Sequence, residues 1–81
     1  MRFRCSQRFL RSYAKAPAQV RKQFDKQANL LFQDRNHPSL CTKKYDETRG
    51  IRQARVNQNW RFYFTIEGEI YYLHEIKPHP K

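Results

Sequence analysis

The hydrophobic period of this chain changes once, and that change constrains its fold more than any other feature. From Val20 through Phe24 and Ala28 to Leu31, apolar residues recur at i, i+4, i+8 and i+11. That is the stripe of a helix that buries one side. Beyond Thr42 the recurrence falls to every second residue, the mark of strands with one buried face. One segment cannot satisfy both periods, so helices and strands occupy separate stretches of the chain.

Local signals divide those stretches further. Phe3 to Cys5 reads as a short strand. Ser6 is a candidate N-cap, and the helix behind it, Gln7 to about Lys15, carries Phe9, Leu10, Tyr13 and Ala14 on one side. Ala16-Pro17 interrupts, and Pro17 can open a second helix as its first residue. Asn36-His37-Pro38 stops that helix near Asp34. So short a break predicts an antiparallel helix hairpin. Lys43-Lys44-Tyr45 follows as a short strand or its edge, and Asp46 to Gly50 as a loop. Arg52 to Val56, Trp60 to Ile66 and Ile70 to Ile76 are three strands, joined by Asn57-Gln58-Asn59 and by a tight turn at Glu67-Gly68. The predicted class is α+β: an N-terminal strand, a helix hairpin, then a three- or four-stranded, mostly antiparallel sheet with the helices on one face. At 81 residues the expectation is a single domain over 1–81.

Charge bears on the partner. Lys and Arg number 17 against 7 Asp and Glu, a net charge of +10. Solubility in a small domain asks for only about 2–8. A polyanion accounts for the excess, nucleic acid first, an acidic protein second and an anionic membrane surface third. Apolar runs such as Leu30-Leu31-Phe32 are far too short to span a membrane. Met1-Arg2-Phe3-Arg4 has no apolar stretch of signal-peptide length behind it, so the expected location is the reducing cytoplasm. Cys5 and Cys41 lack CxxC spacing and read as buried or half-buried small apolar residues. They make no ligand spacing with His37, His74 or His79, and neither a metal nor a cofactor is expected.

Strand register gathers the candidate site. With Asn57-Gln58-Asn59 as a three-residue loop, Val56 faces Trp60, Arg55 faces Arg61 and Ala54 faces Phe62. With Glu67-Gly68 as a two-residue loop, Phe64 faces Tyr71, Phe62 faces Leu73, Trp60 faces Glu75 and Arg61 faces His74. One face then holds Ala54, Val56, Trp60, Phe62, Phe64, Ile66, Tyr71 and Leu73 and should receive the helices. The other presents Gln53, Arg55, Arg61, Tyr63, Tyr72 and His74 to solvent. Guanidinium forks match phosphate oxygens, tyrosine rings stack on unpaired bases, and histidine moves protons near neutral pH. A solvated sheet face carries the same residue types for no special purpose, and Lys43-Lys44 also serves as an edge-strand guard.

The ordered set of features resembles the RelE/ParE superfamily of toxins from bacterial toxin–antitoxin modules. The parts are Val20-Arg21-Lys22 opening the second helix, Asn36-His37-Pro38-Ser39-Leu40, Lys43-Lys44-Tyr45, the stretch from Gln53 to Phe64, and Leu73-His74-Glu75-Ile76-Lys77-Pro78-His79. The resemblance implies a β-α-α-β-β-β fold and a cognate antitoxin that wraps the toxin. In the RelE branch it implies an endoribonuclease acting on mRNA on the ribosome, by attack of the ribose 2′-hydroxyl and without a metal. Arg61 then matches the arginine that steadies the phosphate, and Arg55 assists it. His74, His79 or a tyrosine supplies acid and base, and Lys43, Lys44, Gln53, Tyr63 and Tyr72 meet RNA. The ParE branch implies instead an inhibitor of DNA gyrase, and a basic RNA- or ribosome-binding module without catalysis is a third reading. Oligomeric state and the antitoxin's identity are left open by the sequence.

Overall fold

The computed structural model describes residues 2–79. Strand β1 (Arg2–Cys5) leads into α1 (Gln7–Lys15) and α2 (Ala18–Gln33); a 3₁₀ turn (Pro38–Leu40) precedes β2 (Lys43–Asp46), β3 (Ile51–Arg55), β4 (Trp60–Glu67) and β5 (Ile70–Pro78). The sheet order is β1-β5-β4-β3-β2. β1 lies parallel to β5, and the other pairs are antiparallel. The N-terminal strand thus closes one edge of the meander, and the sheet is five-stranded and mixed, within the predicted α+β class.

Caps and turns follow the local chemistry. Ser6 Oγ accepts from the Phe9 N–H at 3.0 Å and donates to the His74 carbonyl at 2.9 Å, so one hydroxyl starts α1 and pins it to β5. Pro17 is the N-cap of α2 rather than its first helical residue, with ψ at 150°. Its carbonyl accepts the first helical bond, from Arg21 N at 3.0 Å. α2 ends at Gln33, as the stop signal predicts.

The β3–β4 pairing matches the register arithmetic, with Ala54 opposite Phe62 and Arg55 opposite Arg61. The β4–β5 pairing does not. Its turn centres on Gly68-Glu69, with Gly68 at φ 58°, so Ile66 pairs with Tyr71 and Phe64 with Leu73. Glycine takes that conformation freely, which lets the turn sit one residue later. Beyond Leu73 a bulge intervenes: Tyr63 pairs with Glu75, leaving His74 as the extra residue. Arg61 therefore faces Lys77, not His74. The bulge has a packing reason. Leu73 and Ile76 are three residues apart, and strict alternation would turn one of them to solvent; with the bulge both are buried.

The core lies between the helices and the inward sheet face. Ala54, Phe62, Phe64, Leu31 and Leu40 have no solvent exposure. The Phe24 ring meets Phe62 edge-on at 5.0 Å and Phe9 at 5.3 Å. Edge-to-face pairs add to what burial alone contributes. α1 buries less than its sequence implies: Phe9 is buried and Tyr13 packs on the core, while Leu10 is 54% exposed and Ala14 is exposed. Its N-cap, Ser6, is tied to β5, and the Phe9 and Tyr13 rings pack against each other and against Phe24 of α2. Both cysteines are exposed, contrary to expectation. Cys5 ends an edge strand, and Cys41 takes a left-handed conformation (φ 47°) that turns outward the residue after buried Leu40.

One buried polar side chain escaped the periodicity. Gln27 lies on the inward face of α2 and donates to the carbonyls of Ser39 at 3.0 Å and Arg55 at 2.7 Å. A single amide thus ties α2 to the 3₁₀ turn and to the end of β3. Gln27→Leu leaves both carbonyls without this donor and is expected to cost about 1–3 kcal/mol. Urea unfolding measures it, and a midpoint equal to wild type would show that the amide holds nothing together.

Candidate nucleic-acid interface

Pairing places three cations in one row. Arg55 is opposite Arg61, and Arg61 is opposite Lys77. Directly opposed residues share a face, and like charges so placed oppose folding. The row is only partly relieved. Lys77 Nζ lies 3.8 Å from Glu75 Oε2 and 5.2 Å from the Tyr63 ring centroid. Among the described residues neither Arg55 nor Arg61 makes an ion pair. Arg61 is held by the β3–β4 loop: its Nη1 donates to the carbonyls of Asn57 at 2.5 Å, Trp60 at 2.9 Å and Gln58 at 3.4 Å. One nitrogen with two hydrogens serves all three carbonyls, the longest contact sharing a hydrogen with another; this fixes the guanidinium and leaves Nε and Nη2 without a partner among the described residues. Arg55 leans the other way, its Nη1 3.6 Å from Cys41 Sγ.

A second row, Lys43, Gln53, Tyr63 and Glu75, crosses the same face. Here the expectation of solvent exposure fails for two residues: Gln53 and Tyr63 are each 4% exposed. Tyr45 from the edge strand covers Tyr63 with rings 4.7 Å apart, and Lys77 lies over it too. Tyr63 is thereby part of a floor, and the ring left open to solvent is Tyr45, 56% exposed.

Beside these rows is a cleft of about 470 Å³. β2 and the loop after it supply Tyr45 and Arg49, and β4 supplies Tyr63. β5 supplies His74, Glu75 and Lys77, and the start of α1 brings Arg8. His74 Nε2 is 2.9 Å from Thr65 Oγ1. The sequence-predicted residues therefore separate. Tyr63 and His74 share the cleft. Tyr72 lines a neighbouring depression with Arg4 and Cys5 toward the β1 edge, and His74 and Ser6 border both. Arg61 and His79 share the β3–β4 loop: His79 N–H donates to the Asn59 carbonyl at 2.7 Å, and its Nδ1 is buried without a partner among the described residues. Lys43 is exposed on the edge strand, and Lys44 pairs with Glu47 at 3.7 Å, both largely exposed. Lys77 belongs to both groups, opposite Arg61 in register and on the cleft wall.

Sequence reasoning passed over Arg8, Tyr45, Arg49 and Lys77. The last needs the bulge to be placed. Arg49 had a readable signal: Asp46 Oδ1 accepts from Thr48 Oγ1 at 2.7 Å, Thr48 N at 3.1 Å and Arg49 N at 3.3 Å. Such a turn is what Asp-x-Thr encodes, and it sets the loop that carries Arg49. The Thr48 hydroxyl above all, with those two amides, holds the Asp46 carboxyl below its ordinary pKa, so it stays an acceptor.

No protein-family model matches the sequence, and no curated protein matches it significantly. Solved structures do match in shape. The YoeB/ParE toxin from Agrobacterium tumefaciens superposes with a TM-score of 0.81 at 10% identity, over 99% of this chain and 100% of that one. The archaeal RelE-RelB complex from Pyrococcus horikoshii OT3 gives 0.77 at 13% identity, over 95% and 92%. The intact E. coli RelBE toxin–antitoxin complex gives 0.76 at 12% identity, over 98% and 96%. The chain therefore has the fold of the RelE/ParE-type toxins, the fold that the resemblance in sequence implied.

Tyr63 offers a check on the covered floor. Burial pushes its phenol up from the ordinary value, with Tyr45 and Glu75 adding and Arg61 opposing. The folded chain thus holds this proton more tightly than the unfolded chain does. The resulting stability is fully present below the unfolded pKa of about 10 and is lost as pH rises toward the folded one. Unfolding free energy is expected to fall above about pH 10, and less steeply in Tyr63→Phe. Parallel pH profiles for the two proteins would mean that the phenol is not covered in solution.

Proposed function

We propose that this chain is the toxin of a toxin–antitoxin pair and acts as a ribosome-dependent mRNA interferase. The observation that carries this reading is the cationic row Arg55–Arg61–Lys77. Its two arginines have no carboxylate partner among the described residues; His79 is bonded to the loop that holds Arg61, and His74 lines the cleft with Lys77. Keeping three cations abreast works against the fold. A bound phosphate diester reverses the sign of that cost. The fold neighbours include toxins crystallised with antitoxins, which supports a cognate antitoxin as partner.

The reaction fits these residues. The ribose 2′-oxygen attacks the adjacent phosphorus, its proton passes to a base, and the bond to the 5′-oxygen breaks as an acid protonates that oxygen. The products are a 2′,3′-cyclic phosphate and a 5′-hydroxyl. Negative charge builds on the phosphorane in between, and preorganised cations are the strongest lever on it. Arg61 is the first choice: its loop bonds fix it before substrate arrives, and two nitrogens remain for a bidentate grip. Lys77 and Arg55 flank it. His79, at the loop that holds Arg61, and His74, next to Thr65, are the groups that can carry the protons. Lys43 and Lys44 extend the basic track along the edge strand.

Induction in cells with 5′-end mapping of mRNA tests this reading. Codon-phased cuts are expected, with Arg61→Ala and Lys77→Ala each cutting about 10²–10³ more slowly while circular dichroism stays that of wild type. Intact mRNA with stalled gyrase and DNA-damage signalling would establish the gyrase-inhibitor reading instead. Growth arrest with ribosome binding but neither signature would establish the non-catalytic RNA-binding one.

A further inference from the structure

The sheet contains two register breaks, and both deliver a side chain to one place. In β5 the extra residue is His74. In β2, Lys44 pairs with Arg52 but Asp46 with Ile51, so the extra residue is Tyr45. His74 and Tyr45 sit at opposite ends of the meander in strand order, yet both line the cleft of about 470 Å³. Bulges re-aim side chains and recur beside functional sites. The β5 bulge also serves packing, through Ile76. The β2 bulge lies at the sheet edge and leaves its residue, Tyr45, 56% exposed.

We infer that this cleft is a nucleotide subsite in which an unpaired RNA base stacks on Tyr45 while its phosphate is held by Arg8 and Arg49. The inference rests on RNA being the substrate proposed above and adds how the strand is gripped away from the cationic row. Tyr63, 4.7 Å behind Tyr45, backs one side of its ring and keeps it from collapsing onto the sheet. A large ring held open in this way is a stacking platform. Arg8 occupies the first turn of α1, where the positive end of the helix disfavours a cation and where no acidic residue compensates. Arg49 reaches the same cleft from a loop organised by Asp46. Neither arginine makes an ion pair among the described residues. Glu75, the one carboxylate on the cleft wall, is engaged by Lys77 at 3.8 Å. The volume falls in the range of sites for single small ligands, about 300–1,000 Å³. Bases bound this way are read through their π-face, so the subsite grips RNA without choosing its sequence.

The test uses the full chain and a short, labelled single-stranded RNA, with anisotropy as the readout, beside an abasic strand carrying the same number of phosphates. Tyr45→Ala is expected to weaken RNA binding about tenfold or more, and Tyr45→Phe to leave it unchanged. The abasic strand should bind wild type about as weakly as RNA binds Tyr45→Ala. Arg8→Gln and Arg49→Gln should each weaken binding and lower the slope of log affinity against log salt by about one contact. Tyr45 is exposed, so its variants should keep the fold, which circular dichroism verifies. Equal binding of RNA by Tyr45→Ala and wild type, or equal binding of abasic and intact strands, would overturn the subsite even in a chain that cuts mRNA. An acidic peptide binding the cleft where RNA does not would overturn it as well. Base-dependent binding lost in Tyr45→Ala, by a chain that leaves mRNA intact in cells, would support the subsite while overturning the cutting proposed above.

Discussion

The structure depends on two rings, Phe62 and Phe64, buried without residual exposure on the inward face of β4. β4 lies between β5 and β3 and meets α2 through its rings, where Phe24 stands edge-on to Phe62. A strand alternates its side chains, so fixing these two inward fixes Arg61, Tyr63 and Thr65 outward. Pairing then propagates the choice: Arg55 on one side and Lys77 on the other must stand beside Arg61. The cationic row is therefore a consequence of the core. A slip of one residue in β4 would bury an arginine and expose a phenylalanine, and with so thin a core no alternative packing compensates.

Bulges are how the sheet departs from that rule where it needs to. On β5 the inward set is Tyr71, Leu73 and Ile76, and the last of these is out of phase by one residue. One unpaired residue absorbs the phase error, and that residue is His74, already tied to α1 through its carbonyl and to Thr65 through its ring. Packing and chemistry share one irregularity. On β2 the irregularity carries Tyr45, and nothing in the core requires it. Edge strands tolerate such breaks because only one side of the ladder is lost.

Much of the architecture was legible because it follows from short-range rules. The N-cap at Ser6, the Ala16-Pro17 break, the stop before Pro38 and the three-residue β3–β4 loop are each written in a few adjacent residues. The β4–β5 register was not, because glycine at either loop position allows a tight turn, and because the bulge answers to a core that the strand alone does not reveal. Face membership of Phe64, Ile66 and Tyr71 survived because the misplaced turn shifted the pairing by two positions, an even number; at Phe62 the bulge adds a third and brings Ile76 inward opposite it. The candidate site survived less well for the same reason: opposing residues, unlike faces, change with every shift. Arg61 kept Arg55 and exchanged His74 for Lys77. Tyr63 kept its face but lost its exposure to Tyr45, a contact between strands that are not neighbours in the sheet. Gln27 was invisible as a core residue because its burial depends on carbonyls from two distant segments.

Net charge alone would place cations anywhere on the surface, where solvent and salt mute them. Here the important ones are organised by neutral groups. Carbonyls of the β3–β4 loop hold Arg61 through a single nitrogen and the Tyr63 ring lies beneath Lys77, while the Asp46 carboxylate shapes the loop of Arg49 through backbone amides rather than through its guanidinium. Backbone carbonyls orient a guanidinium without cancelling its charge, whereas a carboxylate would do both. An arginine fixed in this way loses little side-chain freedom when a phosphate arrives, and its field is undiminished until then. The same arrangement leaves the face repelling itself in the free protein. A partner that brings negative charge to it, whether RNA or an acidic protein segment, gains from relieving that repulsion as well as from the contacts it makes. On the function proposed above, the two classes of ligand would compete for one surface, and a protein partner that covered this face would shut off access to RNA without altering the fold.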